Sequence, residues 1–400
     1  MSTEESPVRP GRSGGEPKAA GRSGGEPKAA ARTARTRSRA KRSGPVVAVT
    51  GAAHDIGELL VRRLAASEAV KKVVAIDTLR GDAPNATWRL ADVRDPVVAD
   101  RLSGVDVVVH LAVDIGSADE RPDRHSTNVR GTATVLTAAA AAGVRQVVLV
   151  TSAMVYGAQS DNPVPMPEDT EPHAAPDSEL LGDLLEMERL AAQAPRTHPG
   201  LSVTVLRPAA LVGPGVDSVV TRHFEAPRLL SVKGSRMHWQ FCHVYDLLSA
   251  LELAVTAGLG DSTAEGRHVV ASVGSAGWLD QRDVERITGK RHIELPASVA
   301  FGTAERLHRL GATPASSTVL QFLVYPWVVD GLRLADHGWR PSYDNEAALR
   351  AALAESSGRL AIGGHRLGRR DAAAGAAVGA TVALVGTAAL VRRARRRRRG

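Results

Sequence analysis

Cysteine is almost absent from this chain of 400 residues, in which Cys242 stands alone. A single cysteine excludes a disulfide framework and any zinc site built from several thiolates, and it is typical of a reducing compartment. Aromatic side chains are also scarce, with five Trp, four Tyr and four Phe. Nucleic-acid platforms that stack bases depend on aromatic faces, so this composition argues against one on the folded body. The length suits one large α/β domain or two domains, with a sizeable core.

Positive charge is concentrated at the two ends of the chain. Residues 1–43 hold 11 Lys and Arg against 4 acidic residues, and residues 359–400 hold 11 Arg against one Asp. The overall net charge is +8, so the region 44–358 is acidic, with 29 basic and 38 acidic residues. The basic overall composition is therefore no argument for nucleic-acid binding by the body.

The first 43 residues have almost no large apolar side chains. They contain the repeat GRSGGEPKAA twice, at 11–20 and 21–30, followed by a run rich in Arg, Ser, Thr and Ala. This composition predicts a disordered basic arm over 1–43. The arm lacks the apolar h-region of a signal peptide, so a cytoplasmic protein is expected. A transit peptide is the alternative, against which the four Glu of the arm weigh.

From Pro45 onward, short Val-rich runs alternate with segments of helical periodicity. The run 46–49 predicts a first strand, which ends at a glycine turn and a helix. Further predicted elements are strands over 73–76, 105–111, 146–150 and 201–206, and helices over 132–142, 244–257, 303–310 and 345–355. Such alternation is typical of an α/β fold with a Rossmann-like, doubly wound parallel sheet. After about residue 208 the alternation loosens, which indicates a smaller mixed C-terminal substrate lobe.

The predicted organisation has three parts, namely the arm, a body over 44–358 and a basic tail over 359–400. The sheet domain of the body is assigned mainly to 45–215 and 240–272, and the substrate lobe mainly to 173–200, 216–239 and 273–358. The tail contains an uncharged stretch of 20 residues, 372–391, followed by seven arginines.

This stretch predicts a C-terminal apolar helix that is long enough to cross a bilayer. Only six of its residues are Leu or Val, so insertion is marginal. Three alternatives stay open: a membrane span, a helix that lies on an anionic membrane surface through 372–399, and an Ala-rich packing helix. Membrane association is thus a hypothesis that concerns the tail alone.

The turn after the first strand has the features of a dinucleotide site. It reads Thr50-Gly51-Ala52-Ala53-His54-Asp55-Ile56-Gly57. Glycine lets the backbone approach a pyrophosphate, and the following helix supplies N–H donors and the positive end of its dipole. Asp77 follows Gly57 by 20 residues, where its carboxylate can accept hydrogen bonds from ribose hydroxyls. A carboxylate repels a 2′-phosphate, so NAD is expected rather than NADP, with an ordinary loop aspartate as the alternative.

Several later motifs follow in order along the chain: Ala91-Asp92-Val93, His110-Leu111-Ala112, Asn128 in Asn-Val-Arg-Gly-Thr, Thr151-Ser152-Ala153-Met154-Val155-Tyr156-Gly157, Leu206-Arg207-Pro208, Gly213-Pro214-Gly215, His243-Val244-Tyr245-Asp246 and His337-Gly338-Trp339-Arg340-Pro341. Over about 46–355 the chain resembles the extended short-chain dehydrogenases/reductases of the NAD-dependent epimerase/dehydratase type. The resemblance implies NAD-binding roles for Gly51, Ala53, Asp55, Ile56, Gly57, Asp77, Asp92, Val93, Leu111, Ala112 and Asn128. His54 departs from the family, whose middle glycine stands at this position.

The catalytic pair that the resemblance implies is missing. Members of the family use a tyrosine that exchanges a proton with the substrate while hydride moves to or from the nicotinamide. A lysine four residues later lowers the pKa of that tyrosine. No tyrosine lies between Tyr156 and Tyr245, and no lysine lies between Lys72 and Lys233. No shift of the alignment can therefore restore the pair.

Leucines take the two positions on the helix predicted over 176–190, at Leu180 and Leu184. Ser152 matches the residue that holds the substrate oxygen, with a serine satisfied by local backbone as the alternative. Tyr156 is a further candidate proton donor, although the family tyrosine of this segment is usually structural. Trp239 stands where members that act on nucleotide sugars commonly carry an arginine. This departure favours a more apolar substrate pocket, with a tryptophan of the core as the alternative.

Three hypotheses for the function follow. The first is an NAD-dependent, epimerase/dehydratase-like oxidoreductase with a degenerate active site. The second is a catalytically silent NAD-binding sensor or scaffold tethered by the basic tail. The third is a module recruited to a membrane or a nucleic acid by its basic ends. We expect an unidentified small-molecule substrate, no nucleic acid on the body and no metal, and a homodimer is left open.

Overall fold

The computed structural model describes residues 44–114, 123–176, 180–260, 267–310 and 317–356, and the backbone of 361–362 and 365–366. The predicted arm and the apolar stretch 372–391 lie outside the described residues. Among the helices that are described, none has both the length and the apolar character needed to cross a membrane.

Strands and helices alternate through the first half of the described chain and are numbered here in chain order. The strands are β1 (Val46–Thr50), β2 (Lys72–Asp77), β3 (Ala86–Leu90), β4 (Val107–His110), β5 (Gln146–Val150), β6 (Ser202–Pro208), β7 (Ala210–Val212), β8 (Leu229–Val232), β9 (His238–Trp239), β10 (Phe241–His243), β11 (His268–Val273), β12 (Leu279–Asp280), β13 (His292–Leu295), β14 (Ala361–Ile362) and β15 (His365–Arg366). The α-helices are α1 (Asp55–Ala66), α2 (Val98–Arg101), α3 (Gly131–Ala141), α4 (Leu180–Thr197), α5 (Val219–Glu225), α6 (Val244–Thr256), α7 (Gln281–Thr288), α8 (Ala297–Arg309), α9 (Ser317–Val324), α10 (Leu332–Asp336) and α11 (Asn345–Glu355). A π-helix (Ser126–Arg130) leads into α3, and a 3-10 helix (Ala153–Tyr156) follows β5.

Seven strands form the central parallel sheet, in the order β11-β6-β5-β4-β1-β2-β3. Valine dominates β1, β4 and β5, because β-branched side chains pack well on a sheet that is covered on both faces. The order of the strands reverses at β1 and β4, which pair in parallel from Val47 with Val107 to Thr50 with His110. Ligands of such sheets bind at the carboxyl ends of the strands beside this reversal. The predicted doubly wound fold is confirmed.

Two hydrophobic clusters cover the two faces of this sheet. On one face, α1 and α6 contribute Leu60, Leu64 and Leu251, all of them fully buried. On the other face, α3 and α4 contribute Val135 and Leu184, also fully buried. The glycine turn between β1 and α1 is therefore held from both sides by packed helices.

A third cluster forms the core of the smaller lobe, which is built from α5, α7, α8, α9 and α11 and three short strand pairs. Trp239 lies in this core with 1 % of its surface exposed, and its ring stacks on those of His223 and Phe241. Its indole N–H donates to Gln281 Oε1 at 3.3 Å. The prediction that Trp239 lines an apolar pocket is wrong, and the alternative of a core tryptophan holds.

Several predicted boundaries differ from the structure. The helix predicted over 176–190 begins at Leu180 and continues to Thr197, with Pro195 inside its last turn. The helix predicted over 303–310 begins six residues earlier, at Ala297. The two edge strands, β3 and β11, are absent from the predicted elements, and β3 has no fully buried side chain that would form a continuous apolar run. The antiparallel pair of β14 and β15 lies in the region predicted as basic tail.

Candidate active site

The turn between β1 and α1 is shaped by two glycines that admit no side chain. Gly51 has a φ of 68°, and a Cβ placed there would lie 2.7 Å from the Ala112 backbone nitrogen. A Cβ on Gly57 would lie 1.8 Å from the carbonyl oxygen of Gly51. The turn therefore packs its bare backbone against itself and against the residues that follow β4, which is the tight strand-to-helix turn typical of dinucleotide-binding sheets.

His54 and Asp55 occupy the N-terminus of α1, and both are exposed and line the cavity above the turn. His54 is the N-cap residue in extended conformation, and its imidazole makes no capping bond. Asp55 has a φ of 43°, an uncommon value for a residue with a side chain. A Cβ on Gly215 would lie 2.9 Å from the Cβ of Asp55, so Gly215 allows this close packing. Asp55 places a carboxylate close to the N–H donors of α1.

Asp77 ties the glycine turn to the end of β2. One oxygen, Oδ2, accepts the backbone N–H of Ala53 at 3.0 Å, and Oδ1 accepts that of Thr78 at 2.7 Å. The carboxylate lines the cavity and keeps lone pairs for further donors such as ribose hydroxyls. Ala53 takes part through its backbone and does not line the cavity. The glycine turn, whose glycines have no side chains, fits the pyrophosphate of NAD, and the remaining lone pairs of Asp77 fit its ribose hydroxyls.

Asp92 carries an arginine partner that the sequence interpretation overlooked. The Arg94 guanidinium donates to both oxygens of Asp92, at 3.0 Å from Nε and 2.7 Å from a terminal nitrogen. These hydrogen bonds hold the pKa of the Asp92 carboxyl below its usual value. Asp92, Val93 and Arg94 all line the cavity. In the sequence, the only indication of this ion pair is that Asp92 and Arg94 stand two residues apart after β3.

His110 joins the strands of the reversal point below the cavity. Its Nδ1 lies 2.7 Å from Thr50 Oγ1, and its Nε2 lies 3.3 Å from Thr132 Oγ1. Burial lowers the pKa of His110 to about 4, so the imidazole is neutral near pH 7. The histidine thus connects β1, β4 and α3 while Leu111 and Ala112, which follow it, line the cavity.

Asn128 lies in the π-helix before α3 and is fully buried. Its Oδ1 accepts the backbone N–H of Asp114 at 2.7 Å, and its Nδ2 donates to the Asp114 carbonyl at 3.0 Å and to Asp183 Oδ2 at 3.1 Å. Asp183 also lies 2.6 Å from His125 Nδ1. Asn128 therefore positions the segment after β4 and does not itself line the cavity.

The three acidic residues of α4 have different environments. Asp183 and Glu188 are buried, whereas Glu186 is partly exposed and pairs with Arg189 at 2.6 Å. Glu188 accepts from Thr151 Oγ1 at 2.7 Å and from Arg207 Nε at 2.9 Å. Asp183 lies within ion-pair distance of Arg124 and His125, which precede the π-helix. Glu188 joins α4 to the ends of β5 and β6.

Ser152 lies at the end of β5 and lines the cavity. Its Oγ accepts the backbone N–H of Met154 at 3.2 Å, which leaves its O–H free to donate to a ligand oxygen. Leu180 and Leu184, on the facing side of α4, line the same cavity. The side chains beside Ser152 on α4 therefore offer hydrocarbon surface and no proton donor.

Tyr156 lies away from the cavity, with no exposed surface. Its hydroxyl donates to the carbonyl oxygen of Glu168 at 2.9 Å, and the Arg207 guanidinium lies 4.6 Å from the centre of its ring. Burial raises the pKa of Tyr156. This geometry supports a structural role and gives no support to proton donation by Tyr156.

One cavity of about 740 Å³ collects most of the predicted site residues at the carboxyl ends of the strands. It brings together Gly51, Asp55, Ile56, Gly57, Asp77, Asp92, Val93, Leu111, Ala112 and Ser152. Ala53, Asn128 and Tyr156 are not part of its lining. The cavity continues from the glycine turn past Ser152 to side chains of α5 and α9 in the smaller lobe.

Comparisons with known proteins agree with this geometry. The model of the NAD dependent epimerase/dehydratase family matches residues 47–270, which is more than half of the chain. An uncharacterised protein of Mycobacterium tuberculosis is 28 % identical over 323 residues, which cover 76 % of this chain and 82 % of that protein. The structure of MoeE5 in complex with UDP-glucuronic acid and NAD is 25 % identical, with a TM-score of 0.57 over 78 % of this chain and 98 % of MoeE5.

A more distant relative carries a named activity. The ketoreductase of Stigmatella aurantiaca that acts on 4-hydroxy-2-methyl-3-oxo-4-farnesyl-3,4-dihydroquinoline-1-oxide is 28 % identical over 170 residues. These residues cover 40 % of this chain and 48 % of the ketoreductase.

Proposed function

The chain belongs to the NAD-dependent epimerase/dehydratase family, and we propose that it binds NAD(H) without the proton relay of that family, as a catalytically silent sensor or scaffold. The observation that carries this proposal is the apolar pair Leu180 and Leu184 opposite Ser152. Leucine side chains neither donate nor accept protons, so hydride transfer here lacks its usual acid and base.

The tyrosine and lysine of the family relay are not supplied from another part of the described cavity lining. Among the described residues of the lining, no tyrosine and no lysine is present. Asp92 is bound by Arg94, and Asp77 is engaged by the backbone of the turn. Ser152 can hold a ligand oxygen, but a neutral hydroxyl is a weak acid without a partner that lowers its pKa.

The cofactor half of the cavity supports NAD binding. NAD supplies hydride acceptance, and NADH hydride donation, when the nucleotide is bound. The glycine turn offers bare backbone to the pyrophosphate, and Asp77 offers acceptors to the ribose and disfavours a 2′-phosphate. Binding without turnover would make the protein a reporter of the cellular NAD state.

Binding and turnover have to be measured separately on the full chain. We expect NAD and NADH to raise the melting temperature and to give saturable heats in calorimetry, because only the native state binds them. NADH-loaded protein should keep its NADH absorbance with UDP-glucose and with a panel of ketones. Loss of thermal stabilisation by both nucleotides would overturn the cofactor assignment, and steady NADH oxidation would overturn the silent function.

A restoration variant sharpens this test. Leu180→Tyr with Leu184→Lys installs a tyrosine and a lysine four residues apart on the face of α4 that lines the cavity. The double variant and the parent chain are compared at equal NADH occupancy. Turnover that appears only in the double variant supports a lost relay, whereas equal turnover in the parent chain contradicts it.

Reduction of an apolar ketone is the second candidate function. The Stigmatella ketoreductase, which acts on a farnesylated substrate, favours it, as does the hydrocarbon surface around Leu180. NADH, held by the glycine turn and Asp77, would supply the hydride in this case, and the Ser152 hydroxyl would hold the ketone oxygen. Steady NADH-dependent reduction of an apolar ketone by the parent chain, strongly reduced in Ser152→Ala, would identify this function.

A further inference from the structure

The lining of the cavity beyond Ser152 is mostly apolar. Its side chains come from the 3-10 helix, α4, α5 and the segment after α9, and we name this part of the cavity the chamber: Met154, Leu180, Leu184, Val219, Val220 and Trp327. Leu184 is fully buried and Trp327 is 5 % exposed, so both are held by the surrounding core. The Trp327 indole N–H is already used, because it donates to the carbonyl of Phe322 at 3.0 Å.

Each arginine of the described cavity lining lies within ion-pair distance of a carboxylate. Arg222 makes a bidentate pair with Asp217, at 2.8 and 2.9 Å. Arg124 Nε lies 3.5 Å from the buried carboxylate of Asp183, an ion pair in which this nitrogen makes no hydrogen bond. A diphosphate entering the chamber would compete with these carboxylates for each cation and would lose its hydration.

Arg94 is the third arginine of the described cavity lining, and one of its terminal nitrogens lies 2.7 Å from Asp92 Oδ2. Lysine is absent from the described lining, so no further side chain of that kind offers an unengaged ammonium. Trp239, at the position where an arginine was expected to hold a nucleotide diphosphate, is buried in the lobe core. The charges of the chamber thus disfavour a nucleotide sugar.

Ser152 offers a hydroxyl group to a ligand in the chamber. Ser152 Oγ accepts from Met154, and its O–H remains to donate to an oxygen. A ligand that matches the chamber therefore combines hydrocarbon surface with an acceptor oxygen that faces Ser152. Burial of its apolar surface, with that one hydrogen bond to orient it, provides the binding free energy.

We propose that the chamber binds an uncharged, largely apolar ketone or alcohol beside the nicotinamide end of the NAD site, and not a nucleotide sugar. The proposal rests on the proposed function for the neighbouring NAD site, and it names the ligand class that a silent sensor would detect together with NAD. The proposed ligand class is the same whether the protein only binds the ketone or also reduces it with NADH.

The test uses Prodan, a neutral naphthyl ketone whose emission shifts to the blue in apolar surroundings. The full chain is loaded with NAD, titrated with Prodan and then challenged with UDP-glucose. We expect a saturable blue shift that an excess of UDP-glucose does not reverse. An unshifted spectrum at saturating probe, or displacement by UDP-glucose, would overturn the proposal.

Matched variants locate the probe. Leu180→Gln places an amide in the chamber and should weaken Prodan binding about tenfold. Ser152→Ala should weaken it about fivefold through loss of one hydrogen bond. Leu185→Gln is the control, because Leu185 follows Leu184 on α4 but is partly buried outside the cavity lining. This change should alter Prodan binding less than about twofold. Equal effects of Leu180→Gln and Leu185→Gln would place the probe elsewhere.

The NAD affinity of each sample is measured before the probe is added. If NAD fails to bind the parent chain, the proposed function fails whatever Prodan does. If NAD binds and Prodan emission stays unshifted, the assignment of the chamber alone is wrong. Melting temperatures of the variants, taken with and without NAD, exclude unfolding as the cause of a lost signal.

Discussion

Glu188 on α4 and Arg207 on β6 form a buried ion pair behind the cavity, with side chains 6 % and 4 % exposed. Thr151 at the end of β5 donates to the same carboxylate at 2.7 Å. Two strand ends and one helix therefore meet at Glu188. The register of α4, which presents Leu180 and Leu184 to the cavity, depends on this junction.

Glu188→Gln should lower the free energy of unfolding by about 3–5 kcal/mol, because Arg207 is left as a buried charge without compensation. Urea unfolding followed by circular dichroism measures this. Replacement of both residues by Met should recover most of the loss. Glu186→Gln, which breaks a partly exposed pair on the same helix, should cost less than about 1 kcal/mol. A loss of that small size for Glu188→Gln would contradict a structural role for the pair.

Asp77→Asn should weaken NAD binding about 10- to 100-fold, since a charged acceptor for the ribose hydroxyls is lost. The same change should narrow the preference for NAD over NADP, because the repulsion of a 2′-phosphate disappears. Calorimetric titration with both nucleotides checks the two effects. Asp82→Asn, in the exposed loop after β2, serves as the control and should leave both affinities unchanged. An unchanged NAD affinity in Asp77→Asn would remove Asp77 from the site.

Gly51→Ala should destabilise the fold by at least about 2 kcal/mol, because the added Cβ meets the backbone of Leu111 and Ala112 at a positive φ. Gly104→Ala isolates the backbone conformation, since Gly104 has a φ of 72° with nothing within 4 Å of its added Cβ. That control should cost about 1–2 kcal/mol. Thermal unfolding with and without NAD separates the effects, and only Gly51→Ala should abolish stabilisation by NAD.

Stability should fall as the pH decreases from about 6.5 toward 4. Burial lowers the pKa of His110 and of His223 to about 4, and Lys290 adds to the effect at His223. The neutral imidazoles are favoured in the fold, so their contribution is complete above the unfolded pKa of about 6.5 and decreases below it. Each histidine then accounts for a loss of about 3 kcal/mol by pH 4.

His223→Phe should remove about half of this pH dependence. The His223 ring stacks on Trp239, and its Nε2 has no hydrogen-bond partner within the described part of the chain. Phenylalanine keeps the aromatic contacts and cannot be protonated. Unfolding free energies at several pH values compare this variant with His337→Gln, an exposed control. An identical pH slope in His223→Phe and the parent chain would refute the assignment.

The basic tail should bring the protein to anionic membranes. The full chain is expected to sediment with vesicles that contain phosphatidylserine but not with pure phosphatidylcholine, because the seven arginines after residue 391 attract anionic lipid. Deletion of 372–400 should abolish sedimentation and leave the NAD affinity unchanged. Sedimentation of the deleted chain would assign the interaction to another part of the molecule.

Local sequence patterns were sufficient to predict five of the seven strands of the central sheet and the cofactor turn. Buried valine runs predicted β1, β2, β4, β5 and β6 to within about two residues at each end, because a strand covered on both faces needs continuous apolar side chains. Gly51, Gly57 and Asp77 were recognisable since the turn imposes glycine and an acid at a regular spacing. The absence of the Tyr and Lys pair was equally a property of the sequence.

Burial and pairing across the chain were decided only in three dimensions. Asp183 and Glu188 look like the solvent-facing acids of an amphipathic helix, yet their partners Asn128 and Arg207 stand 55 and 19 residues away along the chain. Trp239 was predicted to line a pocket, whereas in the folded lobe its side chain is buried in the core. Whether a polar side chain pairs internally or faces water depends on which elements the fold packs against it. Composition and periodicity do not specify those neighbours, because they describe only one segment of the chain at a time.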